Sequence, residues 1–180
     1  MKPFTALVPA ILILSCLALP STALESKFFT VTQKTISLNM SPSFEMVRGE
    51  FNTSENGMVG QDFIINNTDA PGATFISVLS VYDETMSKLS PGALSEIFLV
   101  GGISGVKARG DEETGNWTAI DHRGNNVTVN TLSTNDSRID MLGGSYNMAV
   151  WNLDGPSYAV MVSLLDRNNT TQIIKTLAIK

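Results

Sequence analysis

The chain has 180 residues and a formal net charge of −5, with 12 basic residues scattered among 17 acidic ones. That balance argues against nucleic acid or an anionic membrane surface as partner. Cys16 and His122 are the only cysteine and the only histidine, too few for a thiolate metal site or a His-rich zinc centre.

The first element is a leader. Lys2 precedes an almost unbroken apolar run from Ala6 to Leu19, and Pro20-Ser21-Thr22-Ala23 places small residues at the −3 and −1 positions of a cut after Ala23. This order predicts a secretory signal peptide over 1–23 and a secreted or cell-surface protein. The run falls short of the roughly 20 apolar residues of a membrane span, so no transmembrane segment is expected in the mature chain. Cys16 invites a lipoprotein reading, but Leu14 is bulky where such signals favour a small residue, and the apolar run continues past the cysteine. Removing 23 of the 180 residues leaves 157 without cysteine, and losing Lys2 takes the charge to −6. A single soluble domain over 24–180, held by packing alone, is expected.

Short alternation of Phe29 and Val31, then Ile36 and Leu38, reads as a first strand or two ending near Ser41-Pro42. A further extended stretch is expected from Phe44 to Phe51. A short strand over Asp62–Asn66 is bounded by Gly60 and by the turn residues from Asn67 to Gly72. From Ala73 to Tyr82, Phe75, Leu79 and Val81 alternate with Ile76, Val78 and Tyr82, which predicts a central strand covered on both faces. Ser90-Pro91 then supplies a cap and a first-turn proline, and Leu94, Ile97 and Phe98 recur at helical spacing until Gly101-Gly102. A polar loop from Lys107 to Gly115 leads to a hairpin, Asn116–Asp121 and Asn126–Leu132 about a turn at 122–125. Another loop is expected over 133–144. A second hairpin joins Tyr146–Trp151 to Ser157–Leu165, and Asn169-Thr170-Thr171-Gln172 opens a last helix with Ile173, Ile174 and Leu177 on its apolar face.

The fold class expected is α+β, an antiparallel sheet of about five to seven strands flanked by helices. The alternative, an all-β sandwich, requires the Ser90–Val100 and Thr170–Leu177 segments to be loops or strands. A strand ending in Pro42-x-Phe44, a strand pair before a mid-chain helix, further hairpins, and a last hairpin running into a short helix, with Tyr146, Trp151 and Tyr158, resemble the PsbP-like fold also seen in Mog1-type proteins. The resemblance spans roughly residues 28–179. It implies an antiparallel sheet sandwiched by helices on an exported or accessory protein that binds partners, and it carries over no functional residue.

Asn-x-Ser/Thr sequons begin at Asn39, Asn52, Asn66, Asn116, Asn126, Asn135, Asn168 and Asn169. With 14 Asn and 35 Ser plus Thr, chance placement, 14 × 35/180, gives about 2.7, so eight is an excess. Turn-rich β-proteins concentrate these residues anyway, but the excess points to glycan attachment at an exposed surface.

Catalytic chemistry is sparse. His122 stands beside Asp121 in an expected turn, with no Gly-x-Ser-x-Gly elbow to supply a nucleophile. Asp111-Glu112-Glu113 and Asp83-Glu84 are the only acid–base pairs for a carboxylate hydrolase, and with Asp166 and Asn168 the only hard-oxygen clusters for calcium; none has a known loop spacing. Each reads more simply as solvated charge. Arg109-Gly110-Asp111 is an adhesion tripeptide short enough to arise by chance. Gly101 to Gly105 follows a helix, whereas phosphate loops precede one. Trp151 reads as core, and Trp117 as core or groove lining. The expectation is therefore a non-catalytic accessory or binding protein without cofactor or metal. Its partner is an unknown protein or envelope component, with self-association possible. A self-assembling surface glycoprotein and a carboxylate-dependent hydrolase are the alternatives.

Overall fold

The structure, a computed structural model, describes residues 25–31, 34–55, 57–68, 72–134 and 144–179. The segment 1–23 expected as a leader (with Cys16), Asn135 and most of the loop expected over 133–144 lie outside them. The chain runs β1 (Glu25–Val31), β2 (Lys34–Met40), β3 (Phe44–Glu55), β4 (Met58–Asn67), β5 (Ala73–Val81), α1 (Pro91–Lys107), β6 (Glu112–Ile120), β7 (Asn126–Ser133), β8 (Ser145–Asp154), β9 (Ser157–Ser163), α2 (Arg167–Thr176) and β10 (Ala178–Ile179). Seven strands form one sheet in the order β3-β4-β5-β9-β8-β7-β6, and β1-β2-β10 form a second. Every pairing is antiparallel.

The register explains the layers. Phe63, Ile76, Met161, Ala149, Val129 and Trp117 are successive cross-strand partners from β4 to β6. They share one face, because side chains directly opposite in a ladder point the same way. That face is the main core, completed by Ile36, Leu38 and Met40 of β2 and by Ile173, Ile174 and Leu177 at the end of α2. The small sheet and α2 thus cover one side of the large sheet. The next row, on the opposite face, runs Val47, Ile64, Phe75, Val162, Met148, Asn130 and Asn116. Helix α1 lies over its middle, where Leu99, Ile103 and Val106 pack on Tyr146, Met148 and Val162. At its amino-terminal end Leu94 and Phe98 meet Val81 and Tyr158.

The α+β expectation therefore holds in its coarse form, an antiparallel sheet of seven strands with a helix on each face. A second, three-stranded sheet, not expected from sequence, shares one of those faces with α2 because β2 buries Ile36, Leu38 and Met40 there. The two segments on which the sandwich alternative depended are helical. Helix α1 begins where expected, with Ser90 Oγ accepting from the Ala93 amide and proline in the first turn, but it does not stop at Gly101-Gly102. It continues to Lys107 because Ile103 and Val106 bury themselves on β8, and that burial outweighs the roughly 1 kcal/mol each interior glycine costs. The polar loop expected from Lys107 to Gly115 shrinks accordingly, since β6 begins at Glu112.

Gly60 does not bound a strand. It sits inside β4, where an added Cβ would lie 2.3 Å from Leu79 Cδ2, and Gly57 (φ +68) makes the preceding turn. Strand β5 is interior but not covered on both faces: Thr74, Ile76 and Val78 are buried, whereas Phe75 is 47% exposed. Helix α2 begins two residues before the expected start, and its cap is Asp166, whose Oδ1 accepts from the Asn169 amide at 2.8 Å.

Candidate functional site

Helix α1 covers β8 and β9 and leaves β7 and β6 open beside it, which creates a groove of about 810 Å³. One wall is the helix flank, with aliphatic Leu99, Val100 and Ile103 between Glu96 at one end and Lys107 at the other. The floor is the sheet: Val150 and Asn152 of β8 and Asn126, Thr128 and Asn130 of β7. The turn Asp121–Asn125 closes the end beyond Glu96. Asn126, Thr128 and Asn130 all face the groove because they are alternate residues of one strand.

The closing turn is rigidly built. The Asp121 carboxylate is only 4% exposed and accepts from the Arg123 and Asn125 amides, both at 2.8 Å, and from the Asn125 side chain at 3.1 Å. Burial alone would push its pKa up, but the hydrogen bonds from Asn125 and Arg123, with the charge of His122, hold it below the ordinary 3.8. Gly124 at φ +84 completes the turn. The Arg123 guanidinium reaches across to Asn152, donating to Oδ1 at 2.8 Å and to the carbonyl at 3.2 Å, and lies 3.9 Å from Asp154. The Asn152 amide donates in turn to the Gly155 and Ser157 carbonyls, so its own hydrogen bonding is spent on the β8–β9 turn. At the opposite end Lys107 and Glu113 pair at 2.7 Å.

Asn130 differs from these. Only 6% of it is exposed, it lines the groove, and its side chain makes no hydrogen bond to any described residue. It stands where α1 begins to cover the β7 row: Asn126 and Thr128 are exposed, while Asn130 and Leu132 are buried. Sequence reading took 126–132 as hairpin without singling out this residue. The available signal was an asparagine inside an otherwise β-prone run of Val, Thr and Leu.

The other residues singled out from sequence do not converge on the groove floor. His122 is exposed in its turn. Glu113 is paired with Lys107, while its strand neighbour Glu112 is exposed. Consecutive strand residues project to opposite faces, so these two carboxylates do not oppose each other across one site. Asp83 caps the short 3-10 turn at Met86–Lys88, accepting from the Thr85 and Met86 amides at 2.9 and 2.8 Å, and Glu84 is exposed beside it. Asp111 accepts from Tyr146 Oη at 2.5 Å, and Gly110, at φ +100, turns the chain from α1 into β6. The glycines at 101, 102 and 105 are helix interior, not a phosphate loop. Asp166 is committed to capping α2, with Asn169 Nδ2 donating to its Oδ2 at 3.0 Å. Among the described residues no group of three or more His, Cys, Asp or Glu is placed to hold a metal ion.

Trp151 is buried in the main core at 3% exposure, and its indole N–H has no partner among the described residues. Trp117 is half-buried against the same core, with the Arg167 guanidinium 4.8 Å from its ring centroid. Of the sequons, Asn39, Asn116, Asn126 and Asn168 are exposed, Asn66 and Asn169 are half-buried, and Asn52 lies in β3. Asn116 and Asn126 project from the same face of the β6–β7 hairpin, and the threonines that complete their sequons, Thr118 and Thr128, are direct cross-strand partners. No helix among the described residues is long and apolar enough to cross a membrane.

No protein-family model matches the chain. Comparisons with curated proteins and with solved structures likewise find no match.

Proposed function

We propose that this is an exported, non-catalytic binding or accessory protein of the extracytoplasmic space, and that the groove between α1 and the β6–β7 hairpin is its binding surface. The observation that carries the reading is Asn130: a residue 6% exposed whose side-chain amide has no described partner, at the floor of a groove lined by the aliphatic flank of α1 and the polar side chains of β7. The fold supplies this amide with no described partner, so a ligand that pairs it gains a hydrogen bond without breaking one inside the protein. The dispersal of Glu112, Glu113, Asp83 and Asp166 into caps, ion pairs and solvent favours binding over hydrolysis. The leader expected over 1–23 supports an extracytoplasmic location, and the sequons exposed outside the groove, at Asn39 and Asn168, support glycosylation. The order of strands and helices suits the PsbP-like family, whose resemblance implies the same accessory role.

A second reading, a surface component that self-assembles, draws on a different feature. On the far side of α1, Val47 (41% exposed), Ile64 and Phe75 (47% exposed) form an uncovered apolar row across β3, β4 and β5.

Intact-mass analysis and light scattering of protein recovered from its own cells separate the two. A discrete monomer beginning at Leu24, carrying a dissociable ligand that protects β7 and α1 amides from exchange, supports the binding reading. A chain that assembles as concentration rises, with the groove unprotected, replaces it with the structural one. A chain retained in the cytoplasm with its leader intact defeats both.

A further inference from the structure

The groove has a shape and a chemistry that narrow its occupant. It follows α1 from Pro91 to Lys107, and a helix of 17 residues is about 25 Å long at 1.5 Å per residue. That length accepts about seven residues of an extended chain at roughly 3.3 Å each. The lining is amphipathic across its width. The helix offers Leu99, Val100 and Ile103, and β7 offers the amides and hydroxyl of Asn126, Thr128 and Asn130.

A carboxamide presents a donor and an acceptor side by side, which is what one peptide unit of an extended chain requires from a partner. Asn130 has both free of described partners. Charge adds a direction. Lys107 and Glu113 neutralise each other at one end, and Arg123 at the other lies between Asp121 and Asp154. Glu96, on the groove wall near that second end, is in no ion pair with a described residue.

Resting on the binding reading above, we infer that the groove takes an extended peptide segment of about seven residues. Its central backbone amide pairs with the Asn130 side chain, an aliphatic side chain packs on Leu99 and Ile103, and a basic residue lies toward Glu96. Trp151 also lines the groove, but it is only 3% exposed in the main core, so the apolar surface open to an occupant is the aliphatic flank of α1. That flank suits a branched aliphatic side chain better than the flat face of a sugar ring.

The test is a bead library of N-acetylated, C-amidated heptapeptides presented to the chain purified from its own cells, with chitohexaose as a sugar probe bearing the same amide group. The expected result is enrichment of peptides with a central Leu, Ile or Val and a Lys or Arg toward one end. Asn130→Leu should weaken the best of them at least ten-fold while leaving Tm no lower, because the side-chain amide makes no hydrogen bond to a described residue that the fold would lose. A folding defect does not give that combination. Glu96→Gln should weaken only the basic peptides, and chiefly at low salt. The inference is overturned if no heptapeptide is enriched over the Asn130→Leu protein, if Asn130→Leu leaves affinity unchanged, or if chitohexaose binds and the peptides do not. In each of these cases a native ligand that still protects the groove leaves the binding reading standing, whereas a groove empty in the native protein removes that reading as well.

Discussion

Gly102 of α1 and Met148 of β8 approach so closely that a Cβ on the glycine would lie 2.9 Å from Met148 Cε. Gly101 and Gly105, one residue before and three after it, face open space. The three glycines therefore separate helix propensity from packing. Gly101→Ala and Gly105→Ala should each raise stability by about 0.5–1 kcal/mol, the usual gain from replacing an interior helical glycine. Gly102→Ala should gain less or lose, because Met148 must move. Denaturant midpoints of the three variants check this, and equal gains at all three sites would show that α1 does not sit tightly on β8.

The Tyr146–Asp111 hydrogen bond ties β8 to the turn that follows α1. Burial, then the hydrogen bond to Asp111 and its charge, push the phenol well above its ordinary 10.0, with Arg109 opposing weakly. A folded pKa raised above the unfolded one gives stability that is complete below about pH 10 and is lost as pH rises beyond it. Tyr146→Phe should cost about 1.5–3 kcal/mol at neutral pH and should flatten the alkaline fall of Tm. An unaltered alkaline limb in the variant would assign that fall to other groups.

Asp121 carries the opposite dependence. Its carboxyl is held below the ordinary 3.8, so its contribution is present above about pH 4 and disappears as pH falls through the lower folded value. Asp121→Asn should cost about 1–3 kcal/mol at pH 7, since buried backbone donors of Arg123 and Asn125 lose a charged acceptor. The penalty should shrink in acid, which urea titrations at pH 7 and pH 3 measure directly.

Ile174 is fully buried beneath α2, whereas Ile97 on α1 is 50% exposed. Ile174→Ala should cost about 2–4 kcal/mol, and Ile97→Ala should change stability by no more than about half a kcal/mol. Comparable losses at the two sites in thermal melts would contradict the layer assignment of both helices.

Most elements were legible because their signals are local. The Ser90-Pro91 start of α1, the hairpin about 121–125, the Tyr146–Leu165 hairpin and the Ile173, Ile174, Leu177 face all declare themselves within a few residues. The errors fell where a distant partner decides. Gly101-Gly102 reads as a stop until Met148 and Tyr146 are seen to hold the helix beyond it. Gly60 reads as a boundary until Leu79 fills the space its side chain would occupy. Phe75 reads as buried by alternation, yet α1 lies over β8 and β9 and leaves β5 partly uncovered.

Sequence alone thus determined the α+β class, the order of most strands and helices and the scarcity of Cys and His, and it carries the leader and sequon patterns from which export and glycosylation are proposed. These depend on periodicity, capping and residue chemistry that reside in short windows of chain. Only the tertiary structure decided which strands α1 covers, and with that the groove beside it and the burial of Asn130. Sheet order and helix placement are set by packing between residues far apart in sequence, and no local pattern encodes the space left where one layer ends.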